Sequence, residues 1–266
     1  MQTIIKNINK RKLLIGMIHL LPLPGSPGFS SIEAVQKRAL EDAVVLSKAG
    51  FHAIMIENFG DTPFFKTKVP PETISAFTLV ASKIKEKVKM PVGINVLRND
   101  GFAALAIANA IGGLFVRVNV FISAALTDQG IIEGNAAELI RYRNRLNPNI
   151  AVFADVSVKH SYPLSGTEID LFQEIKEAFY RGKADGIIIS GRETGSGPDI
   201  RRLEKVKSNL KEIPLIVGSG TNLENAQEYK KFFNGFIIGT SIKKGNITTN
   251  QVDLKKATAM VKELSS

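Results

Sequence analysis

The sequence predicts an α/β protein of the (β/α)8 TIM-barrel class, one domain over residues 1–266. Three observations predict it. Eight short apolar runs rich in Ile and Val recur along the chain, at 13–20, 53–57, 92–97, 114–120, 151–158, 186–190, 215–217 and 236–238. Near-continuous apolar runs suit parallel strands buried on both faces. Segments of helical period separate them, and repeated strand–helix alternation at this length favours a closed barrel over an open sheet. Finally, the last two runs end in small residues, Gly218-Ser219-Gly220-Thr221 and Gly239-Thr240-Ser241. Such turns are the standard phosphate-binding loops after strands 7 and 8 of a barrel. Glycine lets backbone N–H groups approach an anion closely.

Taken in order, the first strand runs into Leu21-Pro22-Leu23-Pro24-Gly25. That loop cannot be the glycine cradle an open dinucleotide-binding sheet carries after its first strand. Ile32, Val35, Ala39, Ala43 and Leu46 then share one helical face, opened by a capping box Ser30-x-x-Glu33 and stopped by Gly50. A helix begins after Asp100 with Phe102, Leu105 and Ala106 and ends at Gly112-Gly113. Leu171, Ile175 and Ala178 mark another, ended by Gly182, and Leu223, Ala226 and Tyr229 a third, opened by Thr221-x-x-Glu224.

Composition bounds the chemistry. With no cysteine, disulfides, thiolate metal sites and cysteine nucleophiles are excluded. Three histidines, His19, His52 and His160, leave little for a zinc site. No apolar run reaches the roughly 18 residues that span a bilayer, and the first residues lack a signal-peptide pattern. A cytoplasmic protein without an integral span is expected. The net charge of +10 admits peripheral attachment to an anionic membrane surface. Its lysines are interleaved with glutamate, as at 83–89 and 201–212, so they read as solvated helix faces, and nucleic acid is not an expected partner. Barrels of this class often associate, so a homo-oligomer is expected.

Reactive groups in a barrel come from the C-terminal strand ends and the loops beyond them. There the chain places His19, Glu57, Asn58 and Asp61, then Asn95, Arg98 and Asp100, Arg117 and Asn119, Asp155, Ser157, Lys159 and His160, and Ser190, Arg192, Glu193 and Thr194. Burying polar groups inside apolar strands costs several kcal/mol each unless they are partnered, so Glu57, Asn95, Arg117, Asn119 and Asp155 call for a purpose. Glu57, Asp155, Lys159 and His19 are the catalytic candidates. Asn95, Arg117, Asn119, Ser190 and Thr194 are the substrate-binding candidates. Gly218, Ser219, Gly220, Gly239, Thr240 and Ser241 form the phosphate cradle. Structural alternatives stand beside these roles. Arg117 and Glu57 can form a buried ion pair, Asp155 can orient Arg117 or Lys159, and His19 can be a packed ring. Lys159 can hold an anion, form a Schiff base or lie on the surface. Arg192 and Thr194 precede Gly195-Ser196-Gly197-Pro198, which reads as a lid, a second anion nest or a helix-starting turn. His52 begins strand 2 at the opposite end and reads as structural. No cofactor is required. Glu57 and Asp155 admit Mg2+ between them without demanding it.

The motifs GMIHLLPLPGSP (16–27), IENFGDTPF (56–64), GINVLRND (93–100), FVRVNVF (115–121), TDQGIIEG (127–134), ADVSVKHSYPL (154–164), SGRETG (190–195), VGSGTNLENA (217–226) and IGTSIKKG (238–245) resemble the BtpA family of barrel proteins over nearly the whole chain. The resemblance implies the fold. From the cyanobacterial protein behind the family's name it also implies a membrane-associated factor in photosystem I accumulation. It carries over no reaction and no catalytic set.

The residues themselves lead to an enzyme acting on a small phosphorylated substrate, sugar- or nucleotide-derived, by isomerase- or lyase-type proton transfer. The alternatives are a non-catalytic assembly or stabilising factor, and a binding protein that keeps the cradle without the chemistry.

Overall fold

A computed structural model describes residues 8, 12–157, 161–162, 170–191, 197–198 and 200–265. Eight parallel strands close a barrel: β1 (Leu13–His19), β2 (Ala53–Glu57), β3 (Val92–Asn95), β4 (Phe115–Val118), β7 (Ala151–Val156), β9 (Gly186–Ile189), β10 (Leu215–Val217) and β11 (Gly235–Ile238), with β11 pairing back onto β1. The expected barrel is therefore the observed one.

Because side chains alternate along a strand, the wall separates two cores. Leu13, Ile15, Met17, Ala53, Met55, Phe115, Phe153, Ile188, Ile216 and Ile237 fill the inside. Leu14, Ile18, Ile54, Ile56, Val92, Ile94, Val116, Val152, Ile187, Leu215 and Phe236 face outward into the helices. Ile8 joins the inner cluster at the lower end. There too His52 Nδ1 accepts from the Leu14 N–H at 3.1 Å, the structural role expected of it. The interior is filled by two tilted rings, Phe115 and Phe153, with centroids 5.4 Å apart. Glycine makes the room: a Cβ on Gly93 would lie 2.1 Å from the Phe115 ring, and one on Gly186 would lie 3.0 Å from Phe153.

Around the barrel lie α1 (Ile32–Ala49), α2 (Pro71–Lys87), α3 (Gly101–Ala110), α4 (Ala136–Leu146), α5 (Leu171–Lys176), α6 (Ile200–Asn209), α7 (Ala226–Tyr229) and α8 (Leu254–Ser265). Two caps differ from expectation. Ser31, not Ser30, caps α1: its Oγ accepts from the Ala34 N–H at 3.1 Å, and the chain enters the helix one residue later. After β10 the Asn222 carboxamide oxygen, not Thr221, accepts from the N–H groups of Glu224 and Asn225. The Asn side chain meets its own following backbone in an Asx turn. The segment beyond α5 continues as a π-helix, Glu177–Arg181, before Gly182.

One element has no counterpart among the expected strands. Between β4 and α4 the chain forms a hairpin, β5 (Ala124–Thr127) and β6 (Gly130–Glu133), joined by β8 (Ser161–Tyr162) into a small antiparallel sheet. Its inner face, Ala125 and Ile132, packs on Val120 beyond the end of β4. Its outer face exposes Leu126, Ile131 and Tyr162.

The interior packing makes a direct prediction. Gly93→Ala has no free space beside Phe115, whose ring is backed by Phe153, so overpacking should cost about 2 kcal/mol. Urea unfolding should show the loss, and Phe115→Leu in the same chain should return part of it. An unchanged midpoint for Gly93→Ala alone would mean that the two rings do not lock the interior.

Candidate active site

The inward parity of every barrel strand continues to its upper end. Following Met17, Met55, Gly93, Phe115, Phe153, Ile188, Ile216 and Ile237, the next inward positions are His19, Glu57, Asn95, Arg117, Asp155, Ser190, Gly218 and Gly239. An apolar interior is thus capped by one polar ring. The strands deliver these residues together although they are scattered through the sequence.

Half of the ring satisfies itself. Arg117 forks onto Asp155, Nε donating to Oδ1 at 2.8 Å and Nη2 to Oδ2 at 2.7 Å. Asn119 Nδ2 donates to the same Asp155 Oδ2 at 3.2 Å. Asn95 Nδ2 donates to Asn119 Oδ1 at 3.0 Å and to the Arg117 carbonyl at 3.2 Å. Arg117 and Asp155 are each 3% exposed. Burial works against the Arg117 charge, but Asp155 and, more weakly, Glu57 outweigh it and hold the guanidinium above its usual range. The buried partner of Arg117 is therefore Asp155 and not Glu57. With its oxygens engaged by Arg117 and Asn119, Asp155 does not fit a Mg2+ shared with Glu57. Among the described residues no group of three His, Cys, Asp or Glu gathers as a metal site.

The other half encloses a cavity of about 240 Å3 between the ends of β1 and β2 and the turns after β10 and β11. His19 and Glu57 stand opposite one another in the β1–β2 register, Nε2 to Oε1 3.8 Å. The His19 ring leans on Phe59 at 4.9 Å. Arg117 reaches the same cavity from the far side. Gly218 through Asn222 and Gly239 through Ser241 line the opposite wall. A Cβ on Gly218 would lie 2.4 Å from Ser190 Oγ, and one on Gly239 would lie 3.0 Å from His19 Cε1. These glycines therefore let Ser190, Ile188 and His19 pack directly against the two turns. The carbonyls of Gly239 and Thr240 accept from the N–H groups of Ile242 and Lys243 in a 3-10 turn. That turn makes no use of the N–H groups of Thr240 and Ser241 at its start. Beside these groups, the hydroxyls of Ser190, Thr221 and Ser241 are buried without a partner among the described residues, as is Asn95 Oδ1.

Other strand-end residues staple loops. Asp61 Oδ1 accepts from the Leu23 N–H at 2.8 Å, and Asn58 bonds Asp61 and the Leu97 N–H, tying the loops after β1, β2 and β3. Asp100 caps α3 and accepts from the Val69 N–H. Lys159 and Thr194 lie outside the described residues. Two further residues belong to the site's surroundings. Arg98, 6% exposed, is lowered from its usual range by burial, an effect eased by Asp155 and Asp128 and deepened by Arg117. A charge directly after an apolar strand was its sequence signal. Asn246 lines the cavity. It and Gly245 both have positive φ, for which a Gly-Asn pair is the natural signature.

The chain is 46% identical over 256 residues to a Pyrococcus abyssi protein, covering 96% of each. It is 42% identical over 253 residues to the photosystem I biogenesis protein BtpA of Synechocystis, covering 95% of this chain and 88% of that one. A mitochondrial protein of Caenorhabditis elegans is 32% identical over 265 residues, covering 97% and 95% of the two chains. Among solved structures, thiamine phosphate pyrophosphorylase from Pyrococcus furiosus superposes with a TM-score of 0.58 at 15% identity, covering 97% of this chain and 96% of that one. Orotidine 5'-phosphate decarboxylase from Pyrococcus horikoshii gives 0.56 at 16%, covering 95% and 99%. At such identities the likeness concerns the fold alone. Among the described residues no helix is long and apolar enough to cross a membrane. The BtpA family model matches residues 10–266, and the chain belongs to the BtpA family.

Proposed function

We propose that the protein is an enzyme acting on a small phosphorylated substrate, sugar- or nucleotide-derived. The phosphate sits against the turns after β10 and β11, and the reacting carbon faces Glu57. One observation carries this reading: the buried hydroxyls of Thr221 and Ser241, which line the cavity beside the glycine turns, and of Ser190, which lies against Gly218, stand without partners among the described residues. Buried polar groups are almost always hydrogen-bonded, and an orphan calls for a bound ligand or another functional role. Two structural neighbours, a thiamine phosphate pyrophosphorylase and an orotidine 5'-phosphate decarboxylase, are named for phosphorylated compounds, which is consistent with the reading.

The ring then divides into roles. The Glu57 carboxylate takes a proton from the carbon next to a carbonyl. The electron pair moves onto the carbonyl oxygen, where the Arg117 cation and the His19 ring stabilise it. Where that carbon bears a hydroxyl, transfer of the hydroxyl proton to the former carbonyl oxygen and return of the first proton to the former carbonyl carbon complete an isomerisation. Asp155 holds Arg117 in place and takes no proton. A second reading, a non-catalytic assembly factor, draws on the name of the Synechocystis relative and on the exposed Leu126, Ile131 and Tyr162. It predicts that the cavity stays indifferent to phosphates.

A thermal-shift screen against orthophosphate, sugar phosphates and nucleoside monophosphates tests the site. A ligand at 100 times its Kd should stabilise by about 2.7 kcal/mol. Ser241→Ala removes an orphan hydroxyl, so the ligand-free protein should melt no lower than the parent. Phosphate should bind about tenfold more weakly for a lost hydrogen bond to a charged group. No shift with any phosphate would sink the cradle and favour the assembly reading.

Glu57→Gln separates chemistry from stability. With the phosphate compound that gives the shift, turnover should fall by about 10²–10⁴ while the fold is kept. Asp155→Asn should behave differently. It leaves the buried Arg117 without its counter-charge and should cost about 3–5 kcal/mol of stability. A stable Asp155→Asn beside an active Glu57→Gln would reverse the two roles.

A further inference from the structure

We propose that the buried Asp42–Lys243 pair is a positioning device. It clamps the base of the loop beyond the second anion turn, and so fixes the geometry in which Thr240 and Ser241 meet a phosphate. The inference rests on the reading of the turns given above, and adds to it a residue 201 positions away in sequence.

The Lys243 side chain is fully buried and that of Asp42 is 1% exposed, with Nζ 3.2 Å from Oδ2. Neither lines the cavity. Asp42 Oδ1 accepts from the Val252 N–H at 2.7 Å. Lys243 and Val252 face each other in an antiparallel bridge. The Lys244 N–H donates to the Gln251 carbonyl, and the Asp253 N–H to that of Ile242. One carboxylate of α1 thus holds both ends of the intervening loop. Arg38, which also approaches Asp42, donates from Nη2 to the Thr249 carbonyl at 2.9 Å.

The loop returns to the site. The Lys243 N–H closes the 3-10 turn on the Thr240 carbonyl at 3.1 Å. The Thr240 and Thr248 hydroxyls bond at 2.9 Å. Asn246 lines the cavity, its Oδ1 accepting from Lys256 Nζ at 2.7 Å. Any displacement of Lys243 is therefore transmitted to Thr240 by one hydrogen bond. An apolar pair would fill the same volume as well or better for stability. What it lacks is direction: a hydrogen-bonded ion pair fixes the position of both chains.

The test uses the full chain with Asp42→Asn/Lys243→Met, which removes both charges while retaining an acceptor for Val252. Two readouts are taken: hydrogen exchange at the amides of Ile242 and Lys244, which close the turn and the bridge, and of Ile237 in the strand, and the Kd for orthophosphate by calorimetry. The expected result is a folded protein with Ile237 exchange unchanged, Ile242 and Lys244 exchanging at least tenfold faster, and phosphate bound at least tenfold more weakly. Unchanged turn exchange and affinity in the folded double variant would overturn the proposal. Where the double variant does not fold, Lys243→Met alone, which leaves Asp42 with Arg38 and the Val252 N–H, is read by the same measure. If the parent protein binds no phosphate, the reading of the turns fails. The clamp is then judged by exchange alone, faster supporting it and unchanged removing it.

Discussion

The fork of Arg117 on Asp155 is the interaction on which the upper end of this barrel depends. A guanidinium 3% exposed, above an interior of Phe, Ile and Met, is tolerated only with a well-oriented counter-charge and further hydrogen bonds. Asp155 supplies the charge, and Asn119 and Asn95 extend the bonding across β3 and β4. That network leaves little of itself for a ligand. It serves as the rigid wall against which the cation keeps one position.

The mouth therefore divides into a satisfied half and an unsatisfied half. On the β3, β4 and β7 side the polar groups largely answer one another. On the β1, β2, β10 and β11 side lie the cavity, the glycine turns and buried hydroxyls without partners. Folding alone does not favour such orphans, since replacing them by apolar groups of the same shape is neutral or stabilising. Thr221 and Ser241 line the cavity and Ser190 lies against Gly218, the placement that the proposed anion site requires.

The barrel was legible because each strand is an apolar run and each helix has its own period. The site was legible because polar residues break those runs at their ends, as in IMIEN and FVRVNV. What strand-by-strand reading could not supply was pairing. Arg117 has two acids at similar height, and the decisive fact is topological: β7 adjoins β4, whereas β3 stands between β4 and β2. A carboxylate on the adjoining strand wins over one further round. The hairpin escaped for a different reason. Its strands have four residues each, and its turn is Asp128-Gln129 rather than Asn-Gly or Asp-Gly. Its left-handed glycine, Gly130, comes one position later. Ser31 beside Ser30, and Asn222 beside Thr221, show the usual limit at caps. Two competent side chains stand side by side, and the backbone's direction of entry chooses between them.

Closure links these parts. The last barrel strand pairs with the first, and Asp42 on the first helix holds Lys243 and Val252 just beyond the last strand. The second glycine turn is thus assembled from both ends of the chain, and local sequence cannot complete it. Loop-closure entropy sets a cost on contacts of such separation that is met only when the rest of the barrel is in place. A buried charge pair suits this position: unpaired, each charge opposes collapse, and paired, they favour one arrangement of the seam. The same seam bounds the cavity, so the step that completes the fold also completes the second glycine turn.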